Sequence, residues 1–172
     1  MITREVEYKE RNEGGNREGV AGTDGGDVTL RGYLAAPDGA SGRPGVLVAH
    51  AWGGRDEFVC QRARDLAELG YAAFALDVYG DARQGTSVEE NVTLMQPFQD
   101  DRKRLRRRLL AATDAAAAQP EIDGERMAAM GYCFGGLCVL DLARAGAPVR
   151  GVVSFHGLFT APGYAVDRIR AK

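Results

Sequence analysis

The sequence is poor in several features that mark whole classes of protein. It has three cysteines (Cys60, Cys133 and Cys138) among 172 residues, and their odd number and spacing argue against a disulfide scaffold or a metal site. No apolar run approaches the roughly 18–20 residues that cross a bilayer. The first ten residues lack the apolar segment of a secretory signal, so a cytoplasmic location is expected. The formal net charge of −2 gives no reason to expect nucleic acid or an anionic membrane as a partner.

The first part of the chain has the pattern of an antiparallel pair of strands. Ile2–Lys9 alternates apolar and charged residues, which predicts an edge strand. Residues 11–27 are rich in Gly, Asn and Asp and contain almost nothing apolar, which predicts a flexible loop. Val28–Ala35 predicts a second strand, ended by the turn residues Pro37, Asp38 and Gly39.

From Gly45 onward, apolar runs alternate with helical patterns. The runs are typical of parallel strands buried on both faces; they are Val46–Ala49, Tyr71–Leu76, Met127–Tyr132 and Val149–Phe155. The predicted helices are Glu57–Leu69, Ser87–Met95, Phe98–Ala118 and Gly135–Ala145, with Pro97 separating the second from the third. This alternation predicts a single α/β domain with a mostly parallel sheet, an antiparallel N-terminal edge and helices on both faces.

A basic run, Arg102–Arg108, carries six basic residues in seven. Such a run by itself suggests nucleic-acid binding. However, Leu105 and Leu109 fall on one stripe of the predicted helix, so most of the charges are predicted to form its solvated face. Because the whole chain is also slightly acidic, no nucleic-acid partner is expected.

The most informative motif is Gly131-Tyr132-Cys133-Phe134-Gly135-Gly136, which lies between a buried strand and a helix. It is the cysteine form of a nucleophile elbow. The nucleophile occupies a sharp, strained turn in which the residues two before and two after it crowd each other, so both places need glycine. The sulfur is then lifted above the carboxyl end of the sheet, at a helix N-terminus that favours a thiolate. The alternative is an inert, buried cysteine in a glycine-rich turn.

This motif resembles the elbow of the dienelactone hydrolase family, and the similarity extends from Val28 to Leu158. It includes the runs P-G-V-L-V-A-H-A-W-G-G-R-D-E-F and A-R-D-L-A-E-L-G-Y-A-A-F-A-L-D-V-Y-G. The resemblance implies an α/β-hydrolase fold and hydrolysis of small lactones or esters through an acyl-cysteine. It also implies an oxyanion hole formed by the N–H groups of Phe134 and Trp52, with no cofactor or metal.

The chain departs from the family pattern in two places. The family places an Asp and then a His on loops after later strands, whereas this sequence reaches Lys172 where the next strand is expected. We therefore expect the last strands to be missing and this chain alone to be catalytically incomplete, because a thioester needs a proton acceptor to be hydrolysed. Many members also carry a glutamate where this chain has Ala51. Glu57 or Asp56 could approach the site instead.

Other residues near the predicted site have open roles. His50 ends a strand beside the oxyanion loop and is interpreted as a hydrogen-bonded structural residue more readily than as a pocket residue. His156 either lines the pocket or anchors a loop. Tyr79, with Trp52 and Phe134, could form an apolar pocket wall, although aromatic residues in such positions are as often part of the core. Asp77 has the position of a carboxylate that braces a loop.

Two further functional hypotheses remain beside the hydrolase. One is a non-catalytic binding or interaction protein that has kept the elbow without its triad. The other is a flavodoxin-like thiol protein, such as a class I glutamine amidotransferase, although the antiparallel edge and the loop after His50 speak against it. Self-association as a homodimer is a third open point, because an unprotected edge at Val149–Phe155 would be free to pair.

Overall fold

The computed structural model describes residues 1–10 and 27–172, so nearly all of the predicted glycine-rich loop lies outside the described residues. Within them the chain forms six strands and four helices. In chain order these are β1 (Ile2–Glu10), β2 (Val28–Ala36), β3 (Arg43–Ala49), α1 (Glu57–Glu68), β4 (Ala72–Ala75), α2 (Val88–Asp100), α3 (Arg102–Ala117), β5 (Ile122–Tyr132), α4 (Phe134–Arg144) and β6 (Val149–Phe155).

The strands form one sheet in the order β1-β2-β4-β3-β5-β6. β2 pairs antiparallel with both β1 and β4, whereas the other three pairings are parallel. The predicted mostly parallel sheet with an antiparallel N-terminal edge is therefore confirmed. Because β3, β4, β5 and β6 run in the same direction, their carboxyl ends meet at one edge of the sheet, where Ala49 is in register with Gly131.

Helices cover both faces of the sheet, as predicted. On one face, α1 packs Val59, Ala63 and Ala67 against small residues of the strands, including Ala73 and Ala75. On the other face, α3 and α4 bury Leu105, Leu109, Leu137 and Leu142 in a larger cluster. The alanines of β4 and β5 leave room for the helices to approach the sheet closely.

The predicted helix break at Pro97 is wrong. α2 continues through Pro97 to Asp100, and the chain leaves helical geometry at Asp101, where φ is −115° and ψ is 85°. The Asp101 carboxylate accepts a hydrogen bond of 2.9 Å from the N–H of Arg104 and so caps α3. The boundary is thus set by an N-cap residue, and the proline is tolerated one turn before the end of α2.

The interpretation of the basic run as a mostly solvated face is only partly right. Arg102 and Arg108 are buried, with 7% and 1% of their surface exposed. Arg102 donates from Nε to Asp141 at 2.6 Å, and Arg108 donates from Nε to Glu10 at 2.5 Å. Lys103 and Arg107 are exposed as predicted. Two of the cations therefore join α3 to α4 and to β1.

The outer edge of β6 already has a partner at its start. Lys172 donates its N–H to the Arg150 carbonyl at 3.1 Å and accepts from the Val152 N–H at 3.0 Å, which is the bonding pattern of a parallel pair. Further along the strand, Val153 and Phe155 are 52% and 41% exposed. Among the described residues, no helix is both long enough and apolar enough to pass through a membrane.

Candidate active site

Cys133 lies at the turn between β5 and α4, in a backbone conformation that L-residues rarely adopt. Its φ is +54° and its ψ is −115°, a combination that stores about 1–3 kcal/mol of strain. Neighbouring bonds hold it there. The Cys133 N–H donates to the Phe155 carbonyl at 3.0 Å, and the Cys133 carbonyl accepts from Gly136 at 3.0 Å. The side chain is partly exposed, so the sulfur is presented at the carboxyl edge of the sheet.

The elbow glycines are required by contacts as close as the motif predicts. A Cβ built on Gly131 would lie 2.1 Å from the Gly135 carbonyl oxygen. One built on Gly135 would lie 2.2 Å from the Ala49 carbonyl oxygen, and one on Gly136 would lie 2.7 Å from Gly157 Cα. Each distance is far below van der Waals contact. The first turn of α4 is therefore packed directly against the end of β3 and the turn after β6.

The backbone N–H groups of Phe134 and Trp52 have no acceptor among the described residues. Phe134 begins α4, and the first N–H groups of a helix have no partner within it. The Trp52 N–H lies in the loop after β3. In that loop the Ala51 and Trp52 carbonyls accept hydrogen bonds and the Gly54 N–H donates one, but the Trp52 N–H does not. The contact of Gly135 with Ala49 brings that loop beside the elbow. Tyr79 also connects this loop to the start of α4, through its bond to Trp52 and its ring contact with Phe134.

His50 is buried in the structure and does not line an open pocket. It is 0% exposed, and its Nδ1 lies 2.6 Å from the Ala51 carbonyl oxygen. Because a carbonyl only accepts, Nδ1 carries the proton and donates it. Nε2 then accepts from the Val78 N–H at 3.2 Å. Burial lowers the pKa of His50, which favours this neutral form. The interpretation of His50 as a structural residue agrees with this geometry.

Of the two roles open to Tyr79, the structure favours a core residue over a pocket wall. The residue is 1% exposed, and its ring stacks on Phe134 with centroids 6.1 Å apart. The edge of His50 meets Tyr79 at 4.8 Å. The Tyr79 hydroxyl donates to the Trp52 carbonyl at 2.8 Å. Burial, followed by the nearby Cys138 and Cys133 sulfurs, raises the pKa of Tyr79 and keeps the phenol protonated.

The carboxylates that could have approached Cys133 are engaged elsewhere. Glu57 is exposed and pairs with Arg64 on the surface of α1. Asp56 caps the same helix by accepting from the Val59 N–H at 3.2 Å. The structure therefore does not bring either side chain to the sulfur in place of the family glutamate. Helix α1 instead uses both of them at its N-terminus, where negative charge is stabilising.

Asp77 braces the loop after β4, in agreement with its interpretation. It is fully buried and accepts from the N–H groups of Arg31, Tyr79, Gly80 and Ala82 at 2.8–3.0 Å. This network fixes the start of the loop that carries Tyr79. Within residues 1–10 and 27–172, no cluster of His, Cys, Asp or Glu side chains is arranged to hold a metal ion.

The His156 side chain is exposed, and its φ is +44°. The turn that contains it packs against Gly136 through Gly157. The structure thus brings the backbone of this turn to the elbow. Pocket lining and loop anchoring both remain predictions for the side chain.

An aromatic group beside Cys133 was missed by sequence reasoning. The rings of Tyr132 and Phe155 stack 4.9 Å apart, and Phe58 meets Tyr132 edge-on at 5.1 Å. Phe58 and Phe155 are 49% and 41% exposed. The available signal was the register of β5 with β6, which pairs Tyr132 with Phe155. Together they form a partly exposed aromatic group at the carboxyl edge of the sheet.

The structure also has a groove of about 570 Å³ at the opposite end of the strands. It is lined by residues at the starts of β3 and β4, including Arg43 and Tyr71, and by Arg126. Ligands of open α/β sheets bind beyond the carboxyl ends of the strands. We therefore place the candidate site at the carboxyl edge of the sheet, where Cys133 follows β5.

A mostly parallel sheet covered on both faces, with a strained strand–turn–helix elbow at its carboxyl edge, is the architecture of an α/β-hydrolase. Comparisons with known proteins agree with this class. The dienelactone hydrolase family model matches residues 30–171. The chain belongs to the dienelactone hydrolase family.

Individual relatives fit this assignment. A Bradyrhizobium protein named "Probable 2-oxo-3-(5-oxofuran-2-ylidene)propanoate lactonase" is 31% identical over 131 residues, which are 73% of this chain and 50% of that protein. A solved dienelactone-hydrolase-like promiscuous phosphotriesterase from metagenomic libraries is 38% identical, with a TM-score of 0.78 over 91% of this chain and 59% of that one. The solved structure named m3DLH is 34% identical, with a TM-score of 0.84 over 99% of this chain and 66% of that one. The chain spans about half the length of the curated relatives that match most of it.

Proposed function

We propose that this chain provides the nucleophile and the oxyanion hole of a cysteine hydrolase that acts on small lactones or esters. The observation that carries the proposal is the elbow. Cys133 is held at a positive φ, partly exposed, at the start of α4. Family membership and the lactonase named above favour the reaction class.

The proposed chemistry uses groups that border the elbow. The Cys133 thiolate attacks the carbonyl carbon of the ester, a C–S bond forms, and the carbonyl electron pair moves onto oxygen. The N–H groups of Phe134 and Trp52 stabilise that oxyanion, and the loss of one such donor costs about 10²–10³ in rate. Collapse of the intermediate breaks the C–O bond, expels the alkoxide or phenolate and leaves a thioester on Cys133.

Hydrolysis of the thioester requires a proton acceptor for the attacking water. His50 is not available, because one ring nitrogen donates to Ala51 and the other accepts from Val78. By themselves, the residues described here are expected to form the acyl-cysteine without rapid turnover. This separation makes the first chemical step measurable alone.

The aromatic group that begins at Tyr132, the residue before Cys133, favours an apolar acyl group. Tyr132, next to Cys133 in the chain, contacts Phe155 and Phe58, of which 41% and 49% of the surface is exposed. Aromatic rings bind flat, conjugated groups through stacking and apolar contact. A lactone with a conjugated ring therefore fits this surface better than a charged or bulky polar ester.

A phosphotriester is a second candidate substrate class, favoured by the 38% identical solved phosphotriesterase. The two N–H groups proposed to stabilise the oxyanion of an ester could donate in the same way to a phosphoryl oxygen, which also gains negative charge during attack. Reaction would transfer the phosphoryl group to the Cys133 sulfur and expel the leaving group.

The test is single acylation by p-nitrophenyl acetate. The 172-residue chain is expected to release about one equivalent of p-nitrophenolate and to gain one acetyl group, located on Cys133 by peptide mass spectrometry. Cys133→Ala should abolish the burst. Cys60→Ala is the matched control, because Cys60 is 6% exposed on α1 and should not react. An equal burst from Cys133→Ala would end the assignment of this nucleophile.

A further inference from the structure

Two buried side chains hold the peptide groups on either side of the Trp52 backbone. His50 Nδ1 donates to the Ala51 carbonyl at 2.6 Å, and the Tyr79 hydroxyl donates to the Trp52 carbonyl at 2.8 Å. The two residues are 0% and 1% exposed. Their rings also touch each other, with centroids 4.8 Å apart in an edge-on arrangement.

The planarity of the peptide bond turns these contacts into an orientation. In a trans peptide, the carbonyl of residue 51 and the N–H of residue 52 lie in one plane and point in opposite directions. Because the Ala51 carbonyl points inward to His50, the Trp52 N–H points away from the buried ring. The bond from Tyr79 fixes the next peptide and prevents the Trp52 residue from rotating between them.

Tyr79 also contacts the second proposed donor. Its ring stacks on Phe134 with an interplanar angle of 19°, and Phe134 is 0% exposed. Tyr79 therefore joins the loop after β3 to the first residue of α4. The loop that carries Tyr79 is itself braced by Asp77, whose carboxylate accepts the Tyr79 N–H at 3.0 Å.

The geometry points to His50 and Tyr79 as positioning residues that together fix the Trp52 N–H for oxyanion binding. This inference rests on the proposed function, since it assigns a role in the same site. Neither residue touches substrate. They act through the backbone of Ala51 and Trp52, and their loss leaves the thiol in place while the donor becomes free to turn.

The test compares two reactions of Cys133 in the same variants. Acylation by p-nitrophenyl acetate passes through an oxyanion. Alkylation by iodoacetamide displaces iodide from a saturated carbon and forms no oxyanion. The ratio of the two rates therefore reports the oxyanion hole independently of thiol exposure and protonation.

Tyr79→Phe is expected to lower the acylation rate about tenfold and to leave alkylation within about twofold, since a donor that is misaligned loses part of the 10²–10³ that a missing donor costs. Tyr8→Phe is the matched control, because the Tyr8 hydroxyl bonds to the other side of the same loop, at the Asp77 backbone. An unchanged ratio in Tyr79→Phe, or an equal fall in both tyrosine variants, would overturn the inference.

A pair of His50 variants tests the same positioning role while Tyr79 is left unchanged. The amide nitrogen of asparagine can replace Nδ1 and keep the bond to Ala51, whereas the amide oxygen of glutamine can replace Nε2 and keep the bond to Val78. His50→Asn should retain most of the acylation-to-alkylation ratio, and His50→Gln should lose about tenfold. The reverse order contradicts that role. Cys133→Ala is measured alongside and should lose both reactions if Cys133 is the nucleophile. An incorrect nucleophile and an incorrect positioning role therefore give different results.

Discussion

Gly135→Ala tests the close contact on which the elbow depends. The added Cβ would lie 2.2 Å from the Ala49 carbonyl oxygen and 2.7 Å from the His50 carbonyl oxygen. Both contacts are with backbone, so no flexible side chain can move aside. Helix α4 and the end of β3 must separate by about 1 Å, and overpacking of this kind costs about 1–3 kcal/mol of stability.

The same displacement should reduce reactivity more than stability. Ala49 leads directly into the loop of the Trp52 N–H, and Gly135 follows the Phe134 N–H by one residue. A separation of about 1 Å between two groups that act on one oxyanion can cost about 10²-fold in rate. We therefore expect Gly135→Ala to acylate about 10²-fold more slowly with p-nitrophenyl acetate and to show a lower midpoint in urea unfolding.

Gly151→Ala is a control for the addition of a methyl group. A Cβ at that position in β6 would meet the Lys172 carbonyl oxygen at 3.5 Å, an ordinary contact. It should change the unfolding free energy by less than about 0.5 kcal/mol and leave the acylation rate unaltered. If Gly135→Ala behaves like this control in both assays, the close packing of α4 on β3 is not needed and the reasoning is refuted.

Three other measurements follow from buried or capping groups. Arg108→Met should lower the free energy of unfolding by about 3–5 kcal/mol, because it leaves the Glu10 carboxylate buried without its main partner. Arg126→Met breaks an ion pair whose side chains are 50% and 30% exposed and should lower it by about 0–1 kcal/mol. Equal losses in urea unfolding would show that burial does not set the cost. Burial lowers the pKa of His50, so the unfolded chain binds its proton more readily and stability should fall as pH drops below the ordinary histidine value of about 6.5; a His50→Gln variant that keeps the full pH dependence between pH 7 and pH 5 would assign the effect to other groups. Asp101→Ala should lower the free energy of unfolding by about 1 kcal/mol through loss of the α3 cap. An unchanged free energy of unfolding would show that this cap does not stabilise the start of α3.

The elbow could be predicted because the residues that define its motif are adjacent in the sequence. Gly131, Cys133 and Gly135 lie within five positions, and the crowding at Gly131 comes from the turn itself, at the Gly135 carbonyl. The crowding at Gly135 comes from the end of β3, which the motif alone does not show. The alternation of apolar runs and helical patterns was equally local, and it gave the correct order of strands and helices. Features with a short range in sequence are those that pattern reasoning finds.

The basic run shows where such reasoning stops. Arg108 is paired with Glu10, which lies 98 positions away along the chain, and no pattern within α3 indicates that partner. Helical spacing placed Leu105 and Leu109 in the core correctly. It could not show that two arginines on neighbouring faces are also buried, because their burial depends on carboxylates from β1 and α4.

The roles of His50 and Tyr79 were hidden for the same reason. Each follows a buried strand, which explains why both were placed near the site. The bonds that define them join the loop after β3 to the loop after β4. Only the packing of those strands side by side shows that Tyr79 lies under Trp52 instead of facing a substrate.

Cys133 in the elbow and Cys138 in α4 differ in exposure and in backbone strain. Cys138 is 0% exposed, and burial, followed by the nearby Asp141 carboxylate, raises its pKa well above the ordinary thiol value; it packs as a small apolar residue. Cys133 lies five positions earlier, partly exposed, in a conformation that costs about 1–3 kcal/mol. A thiol used only for packing needs no such strain, and a glycine would fill the turn at lower cost. This contrast supports the proposal that Cys133, and not Cys138, is the reactive thiol.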